Sequence, residues 1–226
     1  YPEVSRAVKA GIPVERLFIC PDIFSPESKE FEHLATDFVT REVFAAMAFG
    51  SRLKGILALC RPVERRLADL RPQADGLIVV LEAVEKPGNL GAVLRTADGA
   101  GVAAVIMCDG KTDVYNQHVV RSSIGTVFTV PIVAAGKEDI LAYLRERGFS
   151  IFVASARADR DYTMVDMRGR TAIVVGNEHA GVSPFWVEQC DQNIRIPMQG
   201  AASSLNVTVS ASILIYEGHR QKMLLK

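Results

Sequence analysis

Beyond Gly76 the chain is dominated by runs that are apolar at nearly every position: "GLIVVLEAV", "AAVIMC", "TVFTVPIV", "SIFVASA", "TAIVVGN" and "NIRIP". A strand with one wet face alternates polar and apolar residues, so runs of this kind belong to strands covered on both faces. Stretches with helical spacing separate them, as parallel strands require. The expected fold class is therefore α/β, a parallel sheet flanked by helices.

A smaller α/β unit is expected ahead of it. From Val4 to about Pro62 the pattern gives a short helix, the strand "RLFIC", an acidic helix near Pro26 to Leu34, a helix near Arg41 to Phe49 and the strand "GILALC". The charged stretch "RPVERRLADLRPQAD", punctuated by Pro62 and Pro72, closes the unit. The expected organisation is 1–62, a linker over 63–75, and a main domain over 76–226. A chain of 226 residues with 49% hydrophobic content can bury one good core and a smaller second one. Tyr1 stands where an initiator Met would, inside a helix-like pattern, and is read as the sign of an upstream piece.

Charge constrains the partners. Lys plus Arg and Asp plus Glu are 26 each, so a polyanion would have to be met by a local surface. Arg52, Lys54, Arg61, Arg65, Arg66 and Arg71, against Glu64 and Asp69, offer one such stretch, although a solvated linker is the plainer reading. Cys20, Cys60, Cys108 and Cys190 lie far apart with no metal-type spacing and read as buried thiols of a reducing cytoplasm. No apolar run reaches the roughly 18 residues that suggest a membrane span, and no signal-peptide pattern opens the chain.

Ligands of doubly wound sheets gather beyond the carboxyl ends of the strands, and three loops there stand out. In "EKPGNLGAVLRTADGAG", Pro87, Gly88 and Gly91 are expected to form a tight turn; Asn89 and Arg95 border one cleft, about 120° apart on a helix. The loop lacks a complete phosphate-binding fingerprint, but Asp109 at the next strand end matches an acid that binds ribose. In "VVGNEHAGVSP", Glu178 follows a buried strand between Gly176 and Gly181, with Ser183 and Pro184 as helix-start signals. His179 is isolated and is given no role. In "IPMQGAASSLNVTVSASILIYEGHRQ", Ser203, Ser204 and Asn206 exceed what one helix cap needs, and Gly200, Ala201 and Ala202 suit close approach by a ligand. Ser210, Ala211 and Ser212 then permit tight helix packing.

These three loops, in this order and together with "VYNQHVVRSSIGTVFTVPIV", resemble the motifs of the SpoU (TrmH-type) branch of the SPOUT RNA methyltransferases over about Gly76 to Gln221. The unit before them resembles, less specifically, the L30e/L7Ae-like RNA-binding domain. The resemblance implies a carboxyl-terminal deep trefoil knot, a homodimer, no metal, and S-adenosylmethionine as cofactor. It implies methyl transfer to a ribose 2′-hydroxyl of RNA, most often 23S ribosomal RNA, with transfer RNA as the alternative. By the same resemblance Arg95 is the catalytic arginine, Asn89 orients it or the ribose, Glu178 supports the site, and Ser204 and Asn206 position the reacting groups. The cofactor would be held by Ala154, Val175, Gly176, Asn177, Gly181, Ile196, Met198, Ser203, Ser204, Leu205 and Asn206, and RNA by Arg95, Arg121, Arg52 and Lys54. Thr208 and Ser210 depart from the usual Ser and Ala. Two rival readings remain: a nucleotide-binding oxidoreductase built on the Gly88 to Gly91 turn and Asp109, and a non-catalytic RNA-binding protein.

Overall fold

A computed structural model describes residues 1–25, 29–50, 53–110, 112–177 and 180–224. The chain opens with α1 (Pro2–Lys9), whose Pro sits in the first turn with Glu3, and whose Arg6 and Lys9 complement the carboxyl end of the helix dipole. There follow β1 (Val14–Ile19), β2 (Thr36–Phe38), α2 (Arg41–Met47) and β3 (Ile56–Cys60). These strands form a sheet ordered β2-β1-β3, β2 parallel and β3 antiparallel to β1, over a core of Leu17, Ile19, Phe31 and Ile56.

In the expected acidic helix at 26–34, residues 26–28 lie outside the described residues, and the remainder forms only a 3-10 turn at Lys29–Phe31. Within that turn Glu30 accepts from Ser5 Oγ at 2.6 Å and lies 3.7 Å from Lys9 Nζ, which ties it to α1.

The second sheet contains β4 (Leu77–Glu82), β5 (Ala104–Cys108), β6 (Ile132–Ala135), β7 (Ser150–Ala154), β8 (Arg160–Asp161), β9 (Thr171–Val175) and β10 (Gln192–Arg195). Its order is β6-β5-β4-β9-β7-β10-β8 and every pairing is parallel. The helices are α3 (Pro87–Gly99), α4 (Gln117–Ser122), α5 (Lys137–Glu146), α6 (Pro184–Gln189) and α7 (Val207–Met223). Side chains alternate along β4: Leu77, Val79 and Leu81 meet the layer of α3 and α7, while Ile78 and Val80 meet that of α5 and α6. Both layers are dry, which is why the strands carry no polar alternation.

"TVFTVPIV" is not one strand. Gly125, at φ +80°, turns the chain into a 3-10 turn at Thr126–Phe128, and β6 starts only after Pro131. Val127, Phe128 and Val130 are buried all the same, and burial alone does not distinguish a strand from a turn. The 63–75 stretch is not merely solvated, since Leu70 is buried and Leu67 packs beside it on the α5 layer. Ala7 and Ile12 of the first unit likewise belong to the α3 layer's core.

Gly91 lies within α3, where a side chain would strike α4: an added Cβ would sit 1.9 Å from Ser122 Oγ and 2.7 Å from the Ser123 backbone nitrogen. Backbone cannot yield as a side chain can. Gly91→Ala is expected to cost about 1–3 kcal/mol and lower Tm by roughly 2–10 °C in thermal unfolding. Gly88→Ala, where a Cβ meets nothing within 4 Å, is expected to leave Tm unchanged or raise it.

Candidate active site

Strand β9 runs straight into a tight loop. Asn177 and Gly181 form an antiparallel bridge, the Gly181 N–H donates to Asn177 O at 3.1 Å, and Asn177 Oδ1 accepts from Ala180 N at 2.7 Å. Gly181 takes φ +70°, open to glycine at little cost. At Gly176 the constraint is space, because a Cβ there would lie 1.9 Å from Gly181 O. Glu178 and His179 lie outside the described residues. Ser183 precedes α6 as expected, but its hydroxyl does not cap the helix; it donates to Glu82 Oε1 at 2.5 Å, and its N–H donates to Glu82 Oε2 at 2.7 Å.

This loop, the 196–206 segment and the segment after β7 enclose a cavity of about 1280 Å³. Ala154, Val175, Gly176, Asn177, Gly181, Ile196, Met198, Ser203, Ser204 and Leu205 all line it. Asn206 does not. Its Oδ1 caps α7 by accepting from Thr208 N at 2.9 Å, and its Nδ2 approaches Asn89 Oδ1 at 3.5 Å. Sequence reasoning missed Ser155, Arg157 and Asp159, which line the same cavity. Reading "SIFVASA" as strand to its end hid them: β7 stops at Ala154, and the strand-end rule then points to the next residues.

The first motif differs from its expected form. Pro87, Gly88 and Gly91 make no tight turn; all three are helical, and Asn89 occupies the first turn of α3. Pro is at home there because its missing N–H would have had no helical partner. Thr208 Oγ1 lies 3.4 Å from both Asn89 O and Asn89 Oδ1, and Thr96 and Ser212 share a hydroxyl contact of 3.0 Å further along. The first and third motifs therefore meet along the α3–α7 seam. Arg95 is exposed, about 9 Å along the helix axis from Asn89. Among the described residues no side chain pairs with it.

The expected RNA contacts are dispersed. Lys54 is exposed and Arg52 lies outside the described residues. Arg121 instead joins the two units: Nη1 donates to Phe49 O at 3.0 Å and the guanidinium stands 5.5 Å from the Phe49 ring centroid. Asp109 lies outside the cavity lining, beside Glu82 and Cys108, with ligand-type atoms of all three within 4.8 Å. Both Glu82 oxygens accept from Ser183, and burial pushes the Cys108 thiol up to about 12. The oxidoreductase reading loses both its supports, the glycine turn and a cavity-facing Asp109.

Comparison with known proteins agrees with this geometry. The model of the SpoU rRNA Methylase family matches residues 76–216. The 23S rRNA (guanosine(2553)-2′-O)-methyltransferase RlmP of Bacillus subtilis is 34% identical, covering 94% of this chain and 84% of its own. The 23S rRNA (guanosine-2′-O-)-methyltransferase RlmB of Vibrio vulnificus is 37% identical over 82% of this chain and 77% of its own. Among solved structures, an RNA 2′-O ribose methyltransferase superposes with a TM-score of 0.86 at 38% identity, over 98% of this chain and 86% of that one. The SpoU methyltransferase AviRb from Streptomyces viridochromogenes, in complex with AdoMet, gives 0.87 at 27% identity over 98% and 88%.

Gly176 tests whether this cavity holds the cofactor. Gly176→Ala is expected to displace the 177–181 loop and weaken S-adenosylmethionine binding at least about tenfold by calorimetry, the scale of one lost charged-group hydrogen bond. Gly169→Ala, outside the cavity lining and with nothing within 4 Å of the added methyl, is expected to leave it unchanged.

Proposed function

Because this chain belongs to the SpoU rRNA Methylase family, we propose that it transfers a methyl group from S-adenosylmethionine to a ribose 2′-hydroxyl of 23S ribosomal RNA. The observation that carries the proposal is the meeting of the three motifs: a cavity walled by the second and third, and a first-motif Asn89 in contact with Thr208 and Asn206 at its edge. The donor set suits such a cofactor. Val175, Ile194, Ile196, Leu205 and Val207 give apolar walls for a base, Ala154 and Gly176 leave room, and Arg157 and Asp159 offer both signs of charge for an amino-acid end.

S-adenosylmethionine supplies a methyl group already activated on sulfonium, so the transfer needs no metal to activate it. The residues must orient the ribose and help remove its hydroxyl proton as the oxygen attacks. Asn89 has the amide chemistry to orient a hydroxyl, and its position is fixed from the α7 side by Thr208. Arg95, exposed and unpaired among the described residues, has the planar fork for a phosphate beside the target ribose. Ser204, in the cavity wall, and Glu178 complete the proposed set.

The finer architecture belongs to the same reading. Residues 1–62 act as an L30e-like RNA-binding domain, 63–75 as a connection, and 76–226 as the catalytic domain. The segment after β10 is drawn through the chain as a trefoil knot; in support, the last turns of α7 are bonded to the 165–169 segment ahead of β9. Val209 and Tyr216, 46% and 50% exposed and seven residues apart, leave an apolar stripe on α7 suited to a second copy. The protein would work as a homodimer in the cytoplasm, where ribosomal RNA is found.

Mapping 2′-O-methylation on total RNA with and without the protein tests substrate and activity together, and methylation confined to transfer RNA would redirect the assignment. Arg95→Ala is expected to slow single-turnover transfer about 10²-fold or more, with cofactor affinity little changed. Arg95→Lys should recover only part of the rate, since a point charge does not reproduce the fork. Loss of cofactor binding in Arg95→Ala would show that the first and third motifs do not divide the work in this way. Light scattering is expected to give a dimer, and Tyr216→Asp to shift it towards monomer.

A further inference from the structure

We propose that Glu82 is a positioning residue whose buried carboxylate clasps Ser183 and so holds the adjoining Ala180, Gly181 and Val182 where they line the cofactor cavity. The inference rests on the methyltransferase reading only for the identity of the ligand. Glu82 closes β4 and is 5% exposed. A carboxylate taken out of water is costly unless its oxygens are satisfied, and an apolar residue would be cheaper to bury there. Both oxygens are satisfied by one residue, Ser183, through its N–H and its hydroxyl. Ser183 gives up capping α6 to make this contact.

The clasp closes a loop that is held at its other end by the sheet. Leu81 pairs with Val175, so the exits of β4 and β9 lie side by side, and the loop leaves from one and is tied back to the other. Helix α6 does not need the clasp, because Trp186 is wholly buried in the α5 layer. What Glu82 fixes is the chain leading into Ser183, where Ala180, Gly181 and Val182 line the cavity. The backbone around it is strained: Ala83 and Asp109, at the exits of β4 and β5, both take φ 51°, and Ala83 N donates to Cys108 O at 2.9 Å. Non-glycine residues persist in that region only where the surroundings hold them, and such strain gathers at functional sites.

The test uses the full chain with Glu82→Gln, Ser183→Ala and the double variant. Cofactor affinity is read by calorimetry, RNA affinity by filter binding, Tm by thermal unfolding, and loop opening by amide hydrogen exchange over 176–182. Each single variant is expected to weaken S-adenosylmethionine about tenfold and to speed loop exchange, with RNA affinity unchanged. The double variant should lose less than the sum of the two single losses, because the Ser183 hydroxyl bond that both changes disturb can be lost only once while the Ser183 N–H bond is common to all. Ser183→Thr, which keeps the hydroxyl, should restore affinity. A fall in Tm with cofactor affinity and loop exchange unchanged would overturn the proposal, leaving Glu82 as a fold contact alone; additive losses in the double variant would also overturn it. If Glu82→Gln does not fold, Ser183→Ala carries the same comparison. Should the wild-type protein not bind S-adenosylmethionine, the functional reading fails, and loop exchange still decides whether the clasp exists.

Discussion

The position of α7 is the constraint on which the site depends, and polar bonds fix it at both ends. At its start Asn206 caps the helix while Thr208 and Ser212 engage Asn89 and Thr96 of α3. At its end His219 Nδ1 lies 3.0 Å from Ala100 O, and Gln221 both accepts from Met167 N at 2.8 Å and donates to Val165 O at 3.0 Å. Lys222 donates to Met167 O at 2.6 Å, its ammonium pushed below the ordinary value by burial. Glu217, buried beside it, is held below the usual carboxylate range by its bond from Arg220. Leaving the buried Glu217 or Gln221 without its partner would cost about 1–3 kcal/mol, so the helix has little freedom to slide. The 196–206 segment is therefore stretched between a fixed strand and a fixed helix, and the cavity takes its shape from that span.

Sheet order does the rest. Residues 154, 175 and 196 are distant in sequence, yet they lie at the carboxyl ends of β7, β9 and β10, strands in the consecutive order β9-β7-β10 in the sheet. Since every strand runs the same way, all three exits open on one edge. Strand β4, on the other side of β9, delivers Asn89 at the same edge. Parallel pairing and this particular order bring the cavity and Asn89 to one edge of the sheet, and long-range side-chain bonds such as Glu82 to Ser183 and Thr208 to Asn89 then fix the loops there.

This explains what could be read from the sequence. Unbroken apolar runs report strands buried on two faces, and the parallel sheet followed from them. The cavity-facing residues of the second and third loops were legible because glycine and small polar residues at strand ends have few structural uses. The first loop misled, because Pro87, Gly88 and Gly91 have the composition of a turn, and only the approach of Ser122 shows Gly91 to be a helix-packing residue. The partner of Arg121 was not legible, because nothing local reveals Phe49, 72 residues away. Glu82 lay inside an apolar run and drew no attention; its meaning depends on Ser183, 101 residues later. Pairings of that range are set by topology and leave no periodic trace.

The neutral charge balance becomes intelligible once the cations are followed to their partners. In the basic stretch after Ser51, Arg61 is bound to Glu15 at 2.8 Å, Arg66 lies 3.9 Å from Asp69, and Arg71 donates to the carbonyls of Ala68 and Leu70. Arg121 is committed to Phe49. Such surface pairs contribute little to stability; Glu15 and Asp69 offset the charge of Arg61 and Arg66, whereas Arg71 and Arg121, bonded to carbonyls, keep theirs. Arg121, bonded across to Phe49 O, and Arg6, bonded to Ile124 O, tie the first unit to the second. The joint itself is built accordingly: Ala7 and Ile12 of the first unit are part of the second unit's core, and Arg121 closes the seam.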